Sequence, residues 1–178
     1  NLILSRLVRN NGWIAQRYAP EPRRLSELRE IRSRYRAIGE NEHALAGFSR
    51  GLSELRRTLP AQVRTPMPDH LWARFTGLAA AREHLGAAHA RAPFASATIV
   101  EAGKNAWAVA EALRELGVRL IDDGEEAEAH VIGTLSPGPL LDAVARRLRL
   151  RRPHGPRLLS PWMPPCLTAP APAIVSAA

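Results

Sequence analysis

Cysteine is nearly absent from the 178 residues: the single Cys166 excludes a disulfide framework and any multi-cysteine zinc site. Lysine is equally scarce. All but one of the 25 basic residues are arginine, and the exception is Lys104. No apolar run approaches the roughly 18 residues that a membrane-spanning helix requires. Signatures of hydrolytic chemistry are missing as well. The six histidines (His43, His70, His84, His89, His130 and His154) form no His-Glu-x-x-His pair, and there is no Gly-x-Ser-x-Gly elbow around a serine. What remains is an ordinary globular composition, 46% hydrophobic and 24% charged.

The net charge of +8 invites a nucleic-acid reading, but its distribution weakens it. Residues 1–66 carry 13 basic and 6 acidic groups, and residues 96–145 carry 3 basic and 9 acidic. Residues 146–178 hold 6 basic groups and no acid. An acidic middle therefore lies between basic ends. The run Arg146, Arg147, Arg149, Arg151 and Arg152 has no interleaved aromatic residues and no accompanying helix-turn-helix. Arginines at a helix C-terminus also complement its dipole. The wholesale preference for arginine over lysine reads as coding bias. A basic nucleic-acid or protein interaction module is thus the weakest of three readings.

Hydrophobic spacing divides the chain into a helical connector over 1–66, a Rossmann-like α/β domain over 67–160, and a Pro/Ala-rich tail over 161–178. Pro20-Glu21-Pro22 ends a first helix. Leu25, Leu28, Ile31, Tyr35 and Ile38 then recur every three or four residues, the stripe of an amphipathic helix. Gly39 is expected to end it and Asn41 to cap the next, which carries Leu45, Phe48, Leu52, Leu55 and Leu59. Together they predict an αα-hairpin. Pro60, Pro66 and Pro68 form a stiff linker. From Asp69, expected as a cap, one long helix should bury Trp72, Phe75, Leu78 and Leu85.

From residue 96 the period changes. Ala97-Thr98-Ile99-Val100, Val118–Ile121, His130–Leu135 and Arg157–Ser160 read as short buried strands. Helices from about Asn105 to Leu116 and from Leu140 to about Leu150 separate them. The order β-α-β-β-α-β predicts a small parallel sheet of about four strands, an α/β fold.

Ligands of such sheets sit at the carboxyl ends of the strands. The first turn, Val100-Glu101-Ala102-Gly103-Lys104-Asn105-Ala106, matches a Gly-x-Gly-x-x-Gly/Ala fingerprint at Gly103 and Ala106. Glu101 stands where the first glycine is expected, and its carboxylate would repel a phosphate. Asp122 follows Gly103 by 19 residues, the placement of an acid that meets ribose hydroxyls. Lys104 offers a cation at the helix mouth. The third strand leads into Thr134-Leu135-Ser136-Pro137-Gly138-Pro139, where hydroxyls and helix-start amides suit an anion or a sugar hydroxyl. The bland reading of that segment is a helix cap with an early proline. The candidate ligand residues are therefore Gly103, Lys104, Asn105, Asp122, Thr134, Ser136 and Gly138. The cofactor they would take is NAD(P) or a nucleotide sugar, and the alternative to ligand binding is a bare scaffold. Asp122, Asp123, Glu125, Glu126 and Glu128 form an acidic run without the spacing of a calcium loop, read as a solvated face.

Two stretches carry a resemblance: Asp69-His70-Leu71-Trp72-Ala73-Arg74-Phe75, and Ala97 to Ala106. Their arrangement resembles the Rossmann-like C-terminal accessory domain of bacterial family 2 glycosyltransferases, over roughly residues 69–160. There a helical stretch leads from the catalytic domain into a strand ending in Gly-Ala-Gly, where this chain has Glu101-Ala102-Gly103. The resemblance implies an accessory segment of a cytoplasmic transferase with a degenerate nucleotide-binding turn. Its partner would be an upstream catalytic domain of the same polypeptide. Leu2 to Val8 reads as a helix already under way, so the chain is expected to be a fragment. The enzymatic alternative is an NAD(P)-binding reductase-type domain, from the Gly103-to-Asp122 spacing.

Overall fold

The structure is a computed structural model that describes residues 1–122, 126–134, 136–150 and 155–161. Leu135, the acidic Asp123 and Glu125, the basic Arg151 and Arg152, His154, Cys166 and nearly all of the expected Pro/Ala-rich tail lie outside the described residues. The chain forms two compact units, residues 1–72 and 73–178.

Unit 1 is helical: α1 (Leu2–Tyr18), α2 (Glu21–Asn41) and α3 (Leu45–Thr58), closed by a 3-10 turn at Leu59–Ala61. Pro20 separates α1 from α2 as expected, because its ring fits only the helix start. α2 and α3 make the expected hairpin, and α1 packs along both. Its core joins Leu4, Val8 and Ala15 of α1 to Ile31 and Tyr35 of α2 and Phe48 of α3. Leu25 and Leu45, at the ends of the two stripes, are about half exposed.

Two expectations for the hairpin need correction. α2 runs through Gly39 to Asn41, so Gly39 does not end it and Asn41 does not cap α3. Gly39 keeps a helical φ and contributes small size: a Cβ there would lie 3.4 Å from the Phe48 Cβ. The chain reverses instead at His43, whose φ is 51°, and Ala44 occupies the cap position of α3.

The closest approach in unit 1 runs between α1 and α3. A Cβ on Gly47 would lie 2.4 Å from the Asn1 carbonyl oxygen, and one on Gly51 2.5 Å from that of Ser5. The four-residue spacing places both glycines on one side of α3, where they let it lie directly on the α1 backbone. Ser5 is buried there and its hydroxyl donates to the Leu2 carbonyl at 2.9 Å. The proline-rich segment beyond α3 is tied down by backbone bonds, from Thr65 N–H to the Arg17 carbonyl and from Met67 N–H to that of Tyr18, both 2.8 Å.

The expected long helix is two: α4 (Asp69–Thr76) and α5 (Leu78–Arg91). Gly77 breaks it with φ 84°, a left-handed conformation open to glycine at no steric cost. The break changes the helical register, so Trp72, Leu78 and Leu85 are buried while Phe75 is 57% exposed. Asp69 lies within the first turn of α4 and is not its cap; the Pro68 carbonyl accepts the first bonds, from Leu71 and Trp72.

Unit 2 continues with β1 (Ser96–Val100), α6 (Ala106–Glu115), β2 (Arg119–Leu120), β3 (Ala129–Ile132), α7 (Pro137–Arg149) and β4 (Arg157–Leu159). The expected β-α-β-β-α-β pattern holds, and the fold is α/β. All four strands are parallel, in the order β2-β1-β3-β4. β3 is shorter than the sequence suggests: it ends at Ile132, and Gly133 and Thr134 lie beyond it. α7 starts at Pro137, since proline suits the first helical position.

Alternation along the strands sorts the core onto two faces. Ala97, Ala129 and Val131 meet Val109 and Leu113 of α6 and Leu78 and Leu85 of α5. Val100, Ile132 and Leu158 meet Leu140, Ala143 and Val144 of α7. Arg82 of α5 grips Glu115 of α6 through two bonds of 2.7 and 2.6 Å, which hold its guanidinium pKa above the ordinary value.

The glycines of these helices make opposite predictions. Gly51→Ala forces α1 and α3 apart and should cost about 1–3 kcal/mol. Gly86→Ala in α5, where a Cβ meets nothing within 4 Å, should gain about 0.5–1 kcal/mol from helix propensity. Urea unfolding of the two variants beside the wild type measures both.

Candidate functional site

In the order β2-β1-β3-β4 the chain moves outward on one side of β1 and then returns on the other. The direction reverses between β1 and β3, and there the turns leaving the two strands diverge toward helices on opposite faces. Such a switch point is where open α/β sheets accept ligands. The turn after β1 carries Gly103, Lys104 and Asn105; the turn after β3 carries Thr134 and Ser136. Asp122 follows β2, across β1 from Thr134, at the same carboxyl edge.

The two turns are stitched together. Gly133 N–H donates to the Val100 carbonyl at 2.9 Å, and Gly103 N–H donates to the Gly133 carbonyl at 3.2 Å. A Cβ on Gly103 would lie 2.6 Å from the Thr134 Oγ1, and one on Gly133 2.5 Å from the Ile99 Cγ2. Both glycines are therefore demanded by close approach. Gly133 lies outside the fingerprint and the candidate ligand residues; its sequence signal is a glycine directly after a strand, which marks such an approach.

This stitching uses donors that a phosphate would need. Gly103 N–H is spent on Gly133, and Ala106 N–H on the Gly103 carbonyl. Thr134 is buried, and its hydroxyl accepts the Ser136 N–H at 3.3 Å, turning the chain into α7. Pro137 and Pro139 have no N–H at all, so Gly138, exposed on the first turn of α7, supplies the helix-start donor. The expected set of helix-start amides is reduced to that one position.

Asn105 stands apart from the other candidates. It is buried at φ 63°, and its Nδ2 donates to the Thr76 carbonyl at 2.8 Å. Asparagine tolerates the left-handed region, and here its side chain anchors the start of α6 to the end of α4. Lys104 and Asp122 are exposed, and among the described residues neither forms an ion pair.

The residue that departs from the fingerprint carries the sharpest feature of the edge. Glu101 has φ 52°, so it adopts the left-handed conformation that a first glycine would supply. Its carboxylate accepts from Arg146 of α7 at 2.7 Å. The backbone of a tight turn is retained while the side chain that fills the glycine's place is neutralised by an arginine 45 residues away. In the sequence Arg146 belongs to a basic run, and only the packing of α7 against Val100 of β1 brings it to the turn.

The acidic run is divided by the fold. Asp122 lies at the carboxyl edge, whereas Glu128 precedes β3 at the amino edge, where its carboxylate accepts the Ala95 N–H at 3.0 Å and its own N–H donates to the Ser96 hydroxyl at 3.2 Å. Asp122 and Glu128 thus cannot share a cation. Among the described residues no group of three or more histidine, cysteine, aspartate or glutamate side chains is placed to hold a metal. No helix of the described residues is long and apolar enough to cross a membrane.

Comparison with family models, with curated proteins and with solved structures gave no match.

Glu101 can be tested on stability alone. Glu101→Gln removes the exposed ion pair, a loss of about 0.2–1 kcal/mol. Glu101→Gly loses the same pair but relieves the left-handed strain, so it should be about 1 kcal/mol more stable than the glutamine variant. Urea unfolding at low and high salt measures the difference, and the gap between the two variants should persist when salt screens charges.

Proposed function

We propose that the chain is an accessory segment of a bacterial nucleotide-sugar glycosyltransferase working in the cytoplasm, with a degenerate Rossmann-like domain that takes a nucleotide-type ligand. The observation that carries the ligand reading is the meeting of the Gly103 and Thr134 turns at the point where the strand order reverses. The transferase context rests on the resemblance over residues 69–160, and the catalytic centre then belongs to an upstream domain of the same polypeptide.

In this reading the ligand lies across the carboxyl edge and does not enter between the turns, because Thr134 fills the space beside Gly103. Lys104 is the cation that meets a phosphate, assisted by the Gly138 amide and the Ser136 hydroxyl. Asp122, at the end of β2, faces the ribose. Gly103 and Thr134 shape the edge, and Asn105 holds the α6 start in place through Thr76. The closed hydrogen bonding of the turn favours a weak, regulatory or organising ligand over a tightly held cofactor, since few backbone donors remain for a pyrophosphate.

A second reading, an NAD(P)-binding reductase-type domain, draws on one observation: β2 neighbours β1, so Asp122 occupies the position of a ribose-binding acid. Glu101, paired with Arg146, stands in the turn that would approach the pyrophosphate of either ligand and so does not separate the two readings.

Calorimetric titration of the chain with UDP- and dTDP-sugars, NAD(H) and NADP(H) separates the two. The transferase-type reading expects binding of nucleotide sugars in preference to the nicotinamide cofactors. Lys104→Ala should weaken that binding about fivefold, the equivalent of about 1 kcal/mol for an exposed charged contact. Absence of heat with every ligand would leave the domain as a scaffold.

A further inference from the structure

Unit 1 carries a second feature that the nucleotide reading does not use. α2 and α3 meet at the hairpin turn, and toward their far ends an apolar groove of about 240 Å³ opens between them. Val8, Ile31 and Leu55, all buried, form its floor. Leu25 and Leu28 of α2 and Leu52 and Leu59 beside them on the α3 side form its walls. Leu25 is 54% exposed, a large apolar side chain left in water at the groove mouth.

Three arginines border this groove: Arg29 and Arg32 from α2, and Arg56 from α3. Each continues the apolar stripe of its own helix. Leu25, Leu28, Arg29 and Arg32 follow the i, i+3, i+4, i+7 spacing, and Leu52, Leu55, Arg56 and Leu59 repeat it. All three arginines are exposed, and among the described residues none of them has an ion-pair or hydrogen-bond partner. Arg9, Arg36 and Arg64 of unit 1 pair with Glu54, Glu40 and Glu21, whereas the guanidinium groups of Arg6, Arg17, Arg50 and Arg57 are unpaired among the described residues; Arg29, Arg32 and Arg56 differ from these in bordering the apolar groove.

We infer that this groove is a docking site for an acidic amphipathic helix of a partner protein. An apolar trough between two helices receives a third through leucine-type anchors on one helical stripe. The unpaired guanidinium groups on both walls select carboxylates flanking that stripe, by attraction to acidic partners and repulsion of basic ones. A second copy of this chain fits poorly, because residues 1–66 carry 13 basic against 6 acidic groups and the facing surfaces would repel. The concave shape, with the arginines on opposite walls, suits an inserted helix better than a flat anionic surface.

The test uses the full chain and a fluorescent peptide of about 18 residues, with leucine every third or fourth position and glutamate at the flanking positions. Fluorescence anisotropy should give saturable binding, weakened at least about tenfold when the leucines are scrambled or the glutamates replaced by lysine. Arg29→Glu, Arg32→Glu and Arg56→Glu together should invert the preference toward the lysine peptide, with the fold checked by circular dichroism. Leu25→Glu, at an exposed position, should weaken the glutamate peptide without touching the arginines. No saturable binding of the glutamate peptide overturns the inference, as does equal binding of the scrambled peptide or an unaltered preference in the triple variant. Displacement of the peptide by phosphatidylglycerol vesicles would also overturn it, in favour of a membrane surface.

Discussion

The parallel pairing of β1 with β3 is the constraint on which unit 2 depends, for it sets both the two-sided core and the candidate site. Ala97 opposite Ala129, Thr98 opposite His130, Ile99 opposite Val131 and Val100 opposite Ile132 run in register along the full length of the pair. Because side chains alternate across a strand, this one register sends Ala97, Ala129 and Val131 toward α5 and α6 and sends Val100 and Ile132 toward α7. A slip of one residue would exchange the two sets. It would also separate Gly103 from Thr134, since their contact follows directly from the register of the strands that precede them.

Small residues at close approaches are the common device of both units. Ala97 and Ala129 in the strands, with Ala108 and Ala112 in α6, are all but fully buried and let a helix lie close to the sheet. In unit 1, Gly47 and Gly51 bring α3 onto the backbone of α1, and Gly12 accommodates Leu55. At the switch point Gly103 and Gly133 do the same for two turns. Packing of this kind is intolerant of added volume, because a protein interior has few voids to absorb a new methyl group.

The carboxyl edge of the sheet combines this tightness with an unusual electrostatic solution. A glycine fingerprint normally leaves backbone donors facing a phosphate; here Gly103 and Ala106 direct theirs inward, and Glu101 accepts a guanidinium from α7. The left-handed Glu101 backbone closes the turn as a glycine would, while its carboxylate brings a charge that Arg146 meets. Lys104 at this edge and Arg29, Arg32 and Arg56 beside the unit 1 groove are among the cations that have no ion-pair partner among the described residues.

Much of the architecture was legible in the amino-acid sequence because it follows from local rules. Pro20 between two helical segments and the apolar four-residue runs each dictate an element or its end through backbone sterics and periodicity. The alternation of those elements identified a parallel α/β sheet, and the strand-end turns named Gly103, Thr134 and their neighbours as one edge. Tertiary structure decided the rest. Gly77 and Gly39 are the same residue in similar helical sequence, yet Gly77 breaks its helix with φ 84° while Gly39 stays helical and packs close to Phe48. The pairing of Glu101 with Arg146, the diversion of Asn105 to Thr76, and the separation of Asp122 from Glu128 join or part groups according to strand order. Composition and spacing specify which side chains are available and how each segment folds locally; which of them meet depends on contacts between segments far apart in the chain, and those exist only once the sheet has assembled.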